Sequence, residues 1–327
     1  MKKIYGNESL TATLRNMVEQ NRAAHTVMFY GEKGSGKKLM ADYYTRLLLC
    51  ESSGADKPCG FCNACKNTEH GIHPDVVYVE TSGKLGGYSV AAAREICADA
   101  FIKPNNSSGR KIYIFRDCHS MDVRTQNTLL KIIEEPPEYA YFIFTSESKS
   151  DFLPTVISRC VCFGMNICTE EEAAQSLREN GFGESDISAA VGCFHGNIGM
   201  CIEYIENEQL RKSVDLTKQA ADSIINKDEY ALNTILFALG TQRNDVRSAL
   251  SLMDKLVRDA AVLGRDSSAP LIGCWREGAV RLSSAITVYQ AARLHRCIEK
   301  AWKAVETNVN IPLALSAFCA EIMDIID

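Results

Sequence analysis

An α/β domain built on a parallel sheet, followed by an all-helical remainder, is the fold class that the sequence predicts. Three observations predict it. Five short, nearly continuous apolar runs fall in the first half of the chain; a glycine-rich loop joins the first of them to a helical stretch; and beyond about residue 166 the strand-like runs stop and helical periodicity takes over. The runs are Val27-Met28-Phe29-Tyr30, Val76-Val77-Tyr78-Val79, Ile112-Tyr113-Ile114-Phe115, Tyr141-Phe142-Ile143-Phe144-Thr145 and Cys160-Val161-Cys162-Phe163. Apolar runs without polar alternation belong to strands buried on both faces. Five of them alternating with helices specify a doubly wound α/β domain.

In the remainder, Thr169-Glu170-Glu171-Glu172 reads as a capping box and Asn180-Gly181 as the end of the helix it opens. Short helices are expected at about 185–194 and 198–207, and everything from about 208 reads as helical. Val246, Leu250, Met253 and Val257 share one helix face, as do Ala291, Leu294, Ile298, Ala301 and Val305. Both stripes are read as helix–helix core. The expected domains are 1–165 (the sheet domain), 166–207 (a small helical lid) and 208–327 (a helical collar), without repeats or low-complexity linkers.

The chain has 327 residues, 46% hydrophobic and 24% charged, an ordinary globular composition that disfavours disordered and fibrous architectures. No apolar run approaches the ~18 residues of a membrane span. The opening Met1-Lys2-Lys3-Ile4-Tyr5-Gly6 is basic but no apolar stretch follows, so no secretion signal is expected and the chain is read as cytoplasmic. Net charge is −5, unevenly spread: residues 1–165 hold 20 Lys/Arg against 18 Asp/Glu, the rest 16 against 23. That balance excludes a protein that coats nucleic acid over its whole surface. Any DNA contact is local and expected in the first half, where Lys103, Arg110, Lys111, Arg124 and Lys131 supply positive charge. The lone histidines His119 and His195 are read as core or surface residues, not ligands.

Between the first strand and the next helix, expected from about Leu39, stands Gly31-Glu32-Lys33-Gly34-Ser35-Gly36-Lys37-Lys38. This follows G-x-x-x-x-G-K-[ST], a phosphate-cradling loop, except at its last position. Gly31, Gly34 and Gly36 let the backbone wrap phosphates, and Lys37 would reach them at the helix N-terminus. The eighth residue should offer a hydroxyl to Mg²⁺, but Lys38 has no acceptor atom. After the third strand, Asp117 takes the metal position, and Cys118 stands where a water-polarising Glu is wanted. The expectation is a loop without its catalyst; whether it retains ATP or ADP, or is only a turn, stays open.

Four of the 14 cysteines form a pattern, Cys50-x8-Cys59-x2-Cys62-x2-Cys65. Two-residue spacers let neighbouring thiolates converge on one ion, so a closed, structural Cys₄ site for Zn²⁺ is the simplest reading. An iron–sulfur cluster is the rival, since C-x2-C-x2-C runs occur there too. The other ten cysteines are read as small buried hydrophobes.

The four-cysteine insertion after the loop helix, His73-Pro74-Asp75, Gln126-Asn127-Thr128-Leu129-Leu130-Lys131-Ile132-Ile133-Glu134-Glu135-Pro136-Pro137 and Ser158-Arg159-Cys160, in this order along the chain, resemble bacterial DNA polymerase III clamp-loader subunits of the AAA+ superfamily. Asn308-Val309-Asn310 before the last helix is similar to their collar. The resemblance implies a pentameric ring with delta and gamma/tau subunits that loads a sliding clamp on primed DNA, and no membrane. Within the family, Lys38, Cys118 and an end at 327 without a long extension point to the non-hydrolysing delta-prime type. The alternative is an ATP-hydrolysing motor of the gamma/tau type or a stand-alone ATPase. By the resemblance, Arg159 is an arginine finger acting on a neighbour's ATP, and Thr145 sits at the first sensor position. Gly196-Asn197-Ile198-Gly199-Met200 lacks the arginine of the second sensor.

Overall fold

The computed structural model describes residues 3–52, 54, 57–79, 81, 87–307 and 309–327. The chain divides into two compact units, Met1–Glu172 and Ala173–Asp327. In the first, the elements run α1 (Glu8–Glu19), β1 (Thr26–Tyr30), α2 (Lys37–Leu49), α3 (Asn63–Glu69), β2 (Val76–Val79), α4 (Val90–Asp99), β3 (Lys111–Phe115), α5 (Val123–Glu134), β4 (Ala140–Ser146), α6 (Pro154–Ile157) and β5 (Val161–Gly164). All five expected strands are present. They form one sheet in the order β2-β3-β4-β1-β5, and every neighbouring pair is parallel.

The sheet is sandwiched because its side chains alternate between two apolar layers. Val27 and Phe29 of β1, Ile112 and Ile114 of β3, and Ile143 of β4 pack with Met40, Tyr44 and Leu47 of α2 and Leu14 of α1. Met28, Tyr113, Phe115, Phe142 and Phe144 face the other way, against Ile96 of α4 and Leu129 and Ile133 of α5. On that face Tyr113 stacks on Phe142 at 5.1 Å and Phe115 on Phe144 at 4.8 Å. Each fully buried side chain of this size contributes about 1.5–3 kcal/mol of transfer free energy. The two edge strands depart from the expectation of full burial: β2 is half-buried after its first residue and Val161 of β5 is exposed, because an edge strand has only one neighbour.

Local chemistry sets the helix ends. Helix α2 begins two residues earlier than expected, since Gly36 at φ +87° turns the chain directly into it. Asp122 caps α5 by accepting from Thr125 N, and Pro136 and Pro137 follow its last turn.

The second element series is entirely helical: α7 (Glu170–Glu179), α8 (Glu184–Phe194), α9 (Ile198–Glu206), α10 (Glu208–Ile225), α11 (Glu229–Ala238), α12 (Arg243–Leu263), α13 (Arg276–Ala285), α14 (Val288–Glu306) and α15 (Ile311–Ile326). The expected capping box opens α7, with Glu172 N donating to Thr169 Oγ1 at 3.2 Å and Thr169 N to Glu172 Oε2 at 2.9 Å. The predicted stripes on α12 and α14 are buried in one apolar cluster with Leu315, Phe318 and Ile322 of α15. A second cluster gathers Leu177, Ile187, Phe194 and Cys201 of α7 to α9 with Leu210 and Val214 of α10. Asn310 caps α15; Asn308, part of the predicted collar motif, lies outside the described residues. No helix among the described residues is long and apolar enough to cross a membrane.

Candidate functional site

Strand β1 ends at the glycine-rich loop, where Gly31 N donates to Ser146 O of β4 at 3.2 Å. Gly34 and Gly36 hold φ of +84° and +87°, a backbone that side-chain-bearing residues rarely adopt. Lys37, 6% exposed, closes on the loop itself: its Nζ donates to Gly31 O at 2.6 Å and Glu32 O at 2.7 Å. Burial lowers its pKa from the ordinary 10.5, against the pull of the Glu147, Asp117 and Glu32 carboxylates.

The next residue decides what the loop accepts. Lys38 Nζ lies 2.5 Å from Asp117 Oδ2. Asp117 leaves β3 in the left-handed region at φ +55°, and its backbone N donates to Thr145 Oγ1 at 3.0 Å. The buried Thr145 hydroxyl therefore serves the Asp117 backbone. Cys118 is fully buried; burial pushes its thiol pKa well up, and the thiol donates to Phe115 O. Mg²⁺ takes oxygen ligands in near-octahedral geometry. Lys38 offers an ammonium in place of a hydroxyl, and that ammonium already engages the Asp117 carboxylate. Protonated Cys118 is neither ligand nor base. A magnesium nucleotide does not fit these residues.

At the other end of α2 the donor set is complete. The four sulfurs of Cys50, Cys59, Cys62 and Cys65 lie within 4.8 Å of one another. Cys50 and Cys65 are buried, Cys59 and Cys62 half-buried. Backbone N–H groups of Cys59, Cys62 and Cys65 donate to the sulfurs of Cys50, Cys59 and Cys62, each at 3.4 Å. Against burial, which pulls upward, the N–H groups of Cys62 and Phe61 hold the Cys59 thiol down to about 7. Four convergent soft donors fit a tetrahedral metal ion. His70 is exposed and turned to Lys66 O, and buried His73 accepts from Asp75 N, so neither joins the cluster.

Arg159 follows α6 and lies apart from both. Its Nη1 donates to Thr155 O at 2.9 Å and its Nη2 to Glu134 Oε1 at 2.9 Å. Strand β5 runs parallel to β1 with Val27 opposite Val161 and Tyr30 opposite Gly164. Arg159 thus stands at the edge where strands begin and the phosphate loop at the edge where they end, a strand length of roughly 13 Å or more away. It does not serve its own loop.

Of the basic residues expected near DNA, two are otherwise engaged. Lys111, 7% exposed, pairs with Asp99 at 2.8 Å, and Arg110 Nη1 donates to Leu48 O at 2.7 Å. Lys103, Arg124 and Lys131 are exposed. His119 is exposed, and His195 is half-buried with Nε2 at 3.2 Å from Gly273 O. The structure adds Gln126, absent from the sequence-based site residues: its amide donates to Met121 O and Asp151 O and accepts from Leu153 N, tying α5 to the segment before α6. Its sequence signals were its place at the head of the Gln126–Pro137 motif and an amide on the apolar side of an amphipathic helix.

A five-stranded parallel sheet with a phosphate-type loop after β1, a Cys₄ insertion and an all-α remainder defines a phosphate-loop protein of AAA+ type. Residues 6–168 match the family described as "DNA polymerase III, delta subunit". The chain is 32% identical over 168 residues to DNA polymerase III subunit tau of Bacillus subtilis (strain 168), covering 51% of this chain and 29% of that protein. It is 34% identical over 148 residues to subunit delta' of the same strain, covering 45% and 44%. Against subunit tau of Escherichia coli (strain K12), identity is 26% over 255 residues, covering 78% and 37%. The chain spans less than half the length of each of these relatives. Over residues 6–168 it belongs to the DNA polymerase III clamp-loader family of AAA+ proteins.

Proposed function

We propose that this chain is the delta-prime-type subunit of a DNA polymerase III clamp loader, a stator that hydrolyses no ATP itself. The observation that carries this is the 2.5 Å Lys38–Asp117 ion pair, which stands where an active subunit needs a hydroxyl, a metal and a free carboxylate. Sequence identity does not separate the two types, being 32% to a tau and 34% to a delta' subunit of one organism. In this reading Arg159 acts in trans, its planar fork offered to the triphosphate of a neighbouring motor subunit. Its place at the far edge of the sheet from its own loop supports that role. The Cys₄ cluster holds structural Zn²⁺, with Cys50, Cys59, Cys62 and Cys65 as ligands. Partners are delta and gamma/tau subunits in a pentameric ring, acting on a sliding clamp and primed DNA in the cytoplasm. The lid at 166–207 and collar at 208–327 are part of the same proposal, the collar being the ring-forming domain.

The test is ATP turnover by the purified chain alone, then in a loader reconstituted with clamp and primed DNA. No turnover alone is expected, and in the assembly Arg159→Ala should slow hydrolysis by about tenfold or more while leaving the complex intact, given that arginine fingers reach 10³–10⁵ in simpler systems. Turnover by the chain alone that Lys37→Ala abolishes would instead make it a motor.

A further inference from the structure

The phosphate loop has kept its glycines and Lys37, and has changed one position in a particular way. A hydroxyl lost to Ala or Gly would leave Asp117 available to a cation; a hydroxyl replaced by Lys38 supplies the cation. The ammonium stands in the first turn of α2, 2.5 Å from the carboxylate at the end of β3. In a complete site the divalent ion draws an electron pair from the loop hydroxyl and is held from the strand end by the acid. Here the Lys38 side chain brings three N–H donors and no acceptor to that position. The donors suit phosphate oxygens directly, as Mg²⁺ does, while like charge keeps the metal away.

We propose that Lys38 is the loop's resident cation: it takes the charge position of Mg²⁺ and bars the metal, so that a phosphate-bearing ligand of this loop is bound without Mg²⁺. This rests on reading the loop as a nucleotide loop without a catalyst. The ligand class is the free anion of a nucleoside diphosphate or a simpler phosphate, met by Lys37, Lys38 and the N–H groups that open α2.

The test uses the full chain and ADP, titrated by calorimetry once with excess Mg²⁺ and once with EDTA. For the wild type, ADP binding at whatever strength is not improved by Mg²⁺. Lys38→Thr restores the hydroxyl and frees Asp117, so Mg²⁺ should tighten ADP binding by about tenfold or more, an ordinary coupling between two ligands. Lys38→Ser is the second hydroxyl variant should the first fold poorly. Asp117→Asn breaks the ion pair but keeps the ammonium, and should stay indifferent to the metal. Mg²⁺-dependent binding by the wild type or by Asp117→Asn, or indifference of both hydroxyl variants, overturns the proposal. The outcome is separable from the stator reading: if Arg159→Ala has no effect in the assembled loader, that reading fails while the Mg²⁺ comparison stands.

Discussion

The two ends of helix α2 present two metal-related sites in opposite states. At its N-terminus the phosphate loop has the backbone for an anion, but its cation position is filled by Lys38. At its C-terminus Cys50 opens a cluster whose four sulfurs lie within 4.8 Å of one another. One helix, packed through Met40, Tyr44 and Leu47 into the same core, therefore carries an incomplete site and a complete one. The difference lies in what each site does for the fold. The glycine loop is closed by its own hydrogen bonds, Lys37 included. The cysteine segment has few apolar side chains to bury, and four sulfurs crowded together gain from a metal that displaces their protons and binds the thiolates.

The largest effect is expected at the C-terminal end. Cys65 is fully buried within the cluster, and Cys65→Ser should drop bound metal from one ion per chain to near none. Structural zinc contributes about 10–16 kcal/mol of apparent binding free energy in isolated finger peptides, so the segment between α2 and β2 should lose its fold. Elemental analysis and limited proteolysis read both effects, and chelation of the wild type should reproduce them. Metal-free protein with an unchanged digestion pattern would erase the contrast between the two ends.

Lys37→Met, at the N-terminal end, should move stability by only about 1 kcal/mol. Two hydrogen bonds from a charged donor are lost, at about 1.5–3 kcal/mol each, but the several kcal/mol of burying an ammonium are relieved. The pH dependence is more telling. Burial lowers the Lys37 pKa, so the folded chain gives up this proton at a lower pH than the unfolded chain does at 10.5. Between the two values the unfolded state holds more protons and stability rises with pH. Below the depressed value the penalty is fully present. Wild-type stability should therefore gain on Lys37→Met between neutral pH and pH about 10. Denaturation midpoints of both proteins at the two pH values check this; parallel midpoints would mean that Lys37 is solvated as in water.

These contrasts mark how far sequence reasoning reached. The sheet was legible because its inner strands are apolar on both faces, and the cluster because metal-ligand spacing is local in the chain. The lost catalyst was legible as two wrong residues, Lys38 and Cys118. Their consequence was not, since Lys38 and Asp117 are far apart in sequence and meet only when β3 is laid in place near β1. The same holds for Glu134 on Arg159, two side chains that lie on α5 and after α6 and meet only in the fold. Lys111 shows the opposite failure: a lysine opening a strand reads as a surface cation, yet it is buried and the end of α4 brings Asp99 to it.

The smallest effect is expected from Asp117→Asn. The Lys38–Asp117 pair is about half exposed on each side, 55% and 46%, and such pairs are worth about 0–1 kcal/mol. Asparagine accepts the left-handed backbone of this position as readily as aspartate does. The backbone N that donates to Thr145 Oγ1 is retained. Stability should therefore shift by about 0.5 kcal/mol or less, and the shift should shrink at high ionic strength as screening removes what the pair supplies. Urea midpoints at low and high salt measure it. A loss of several kcal/mol would mean that the pair holds the loop together, and Lys38 would then be a structural clamp kept for the fold rather than a cation kept for the site.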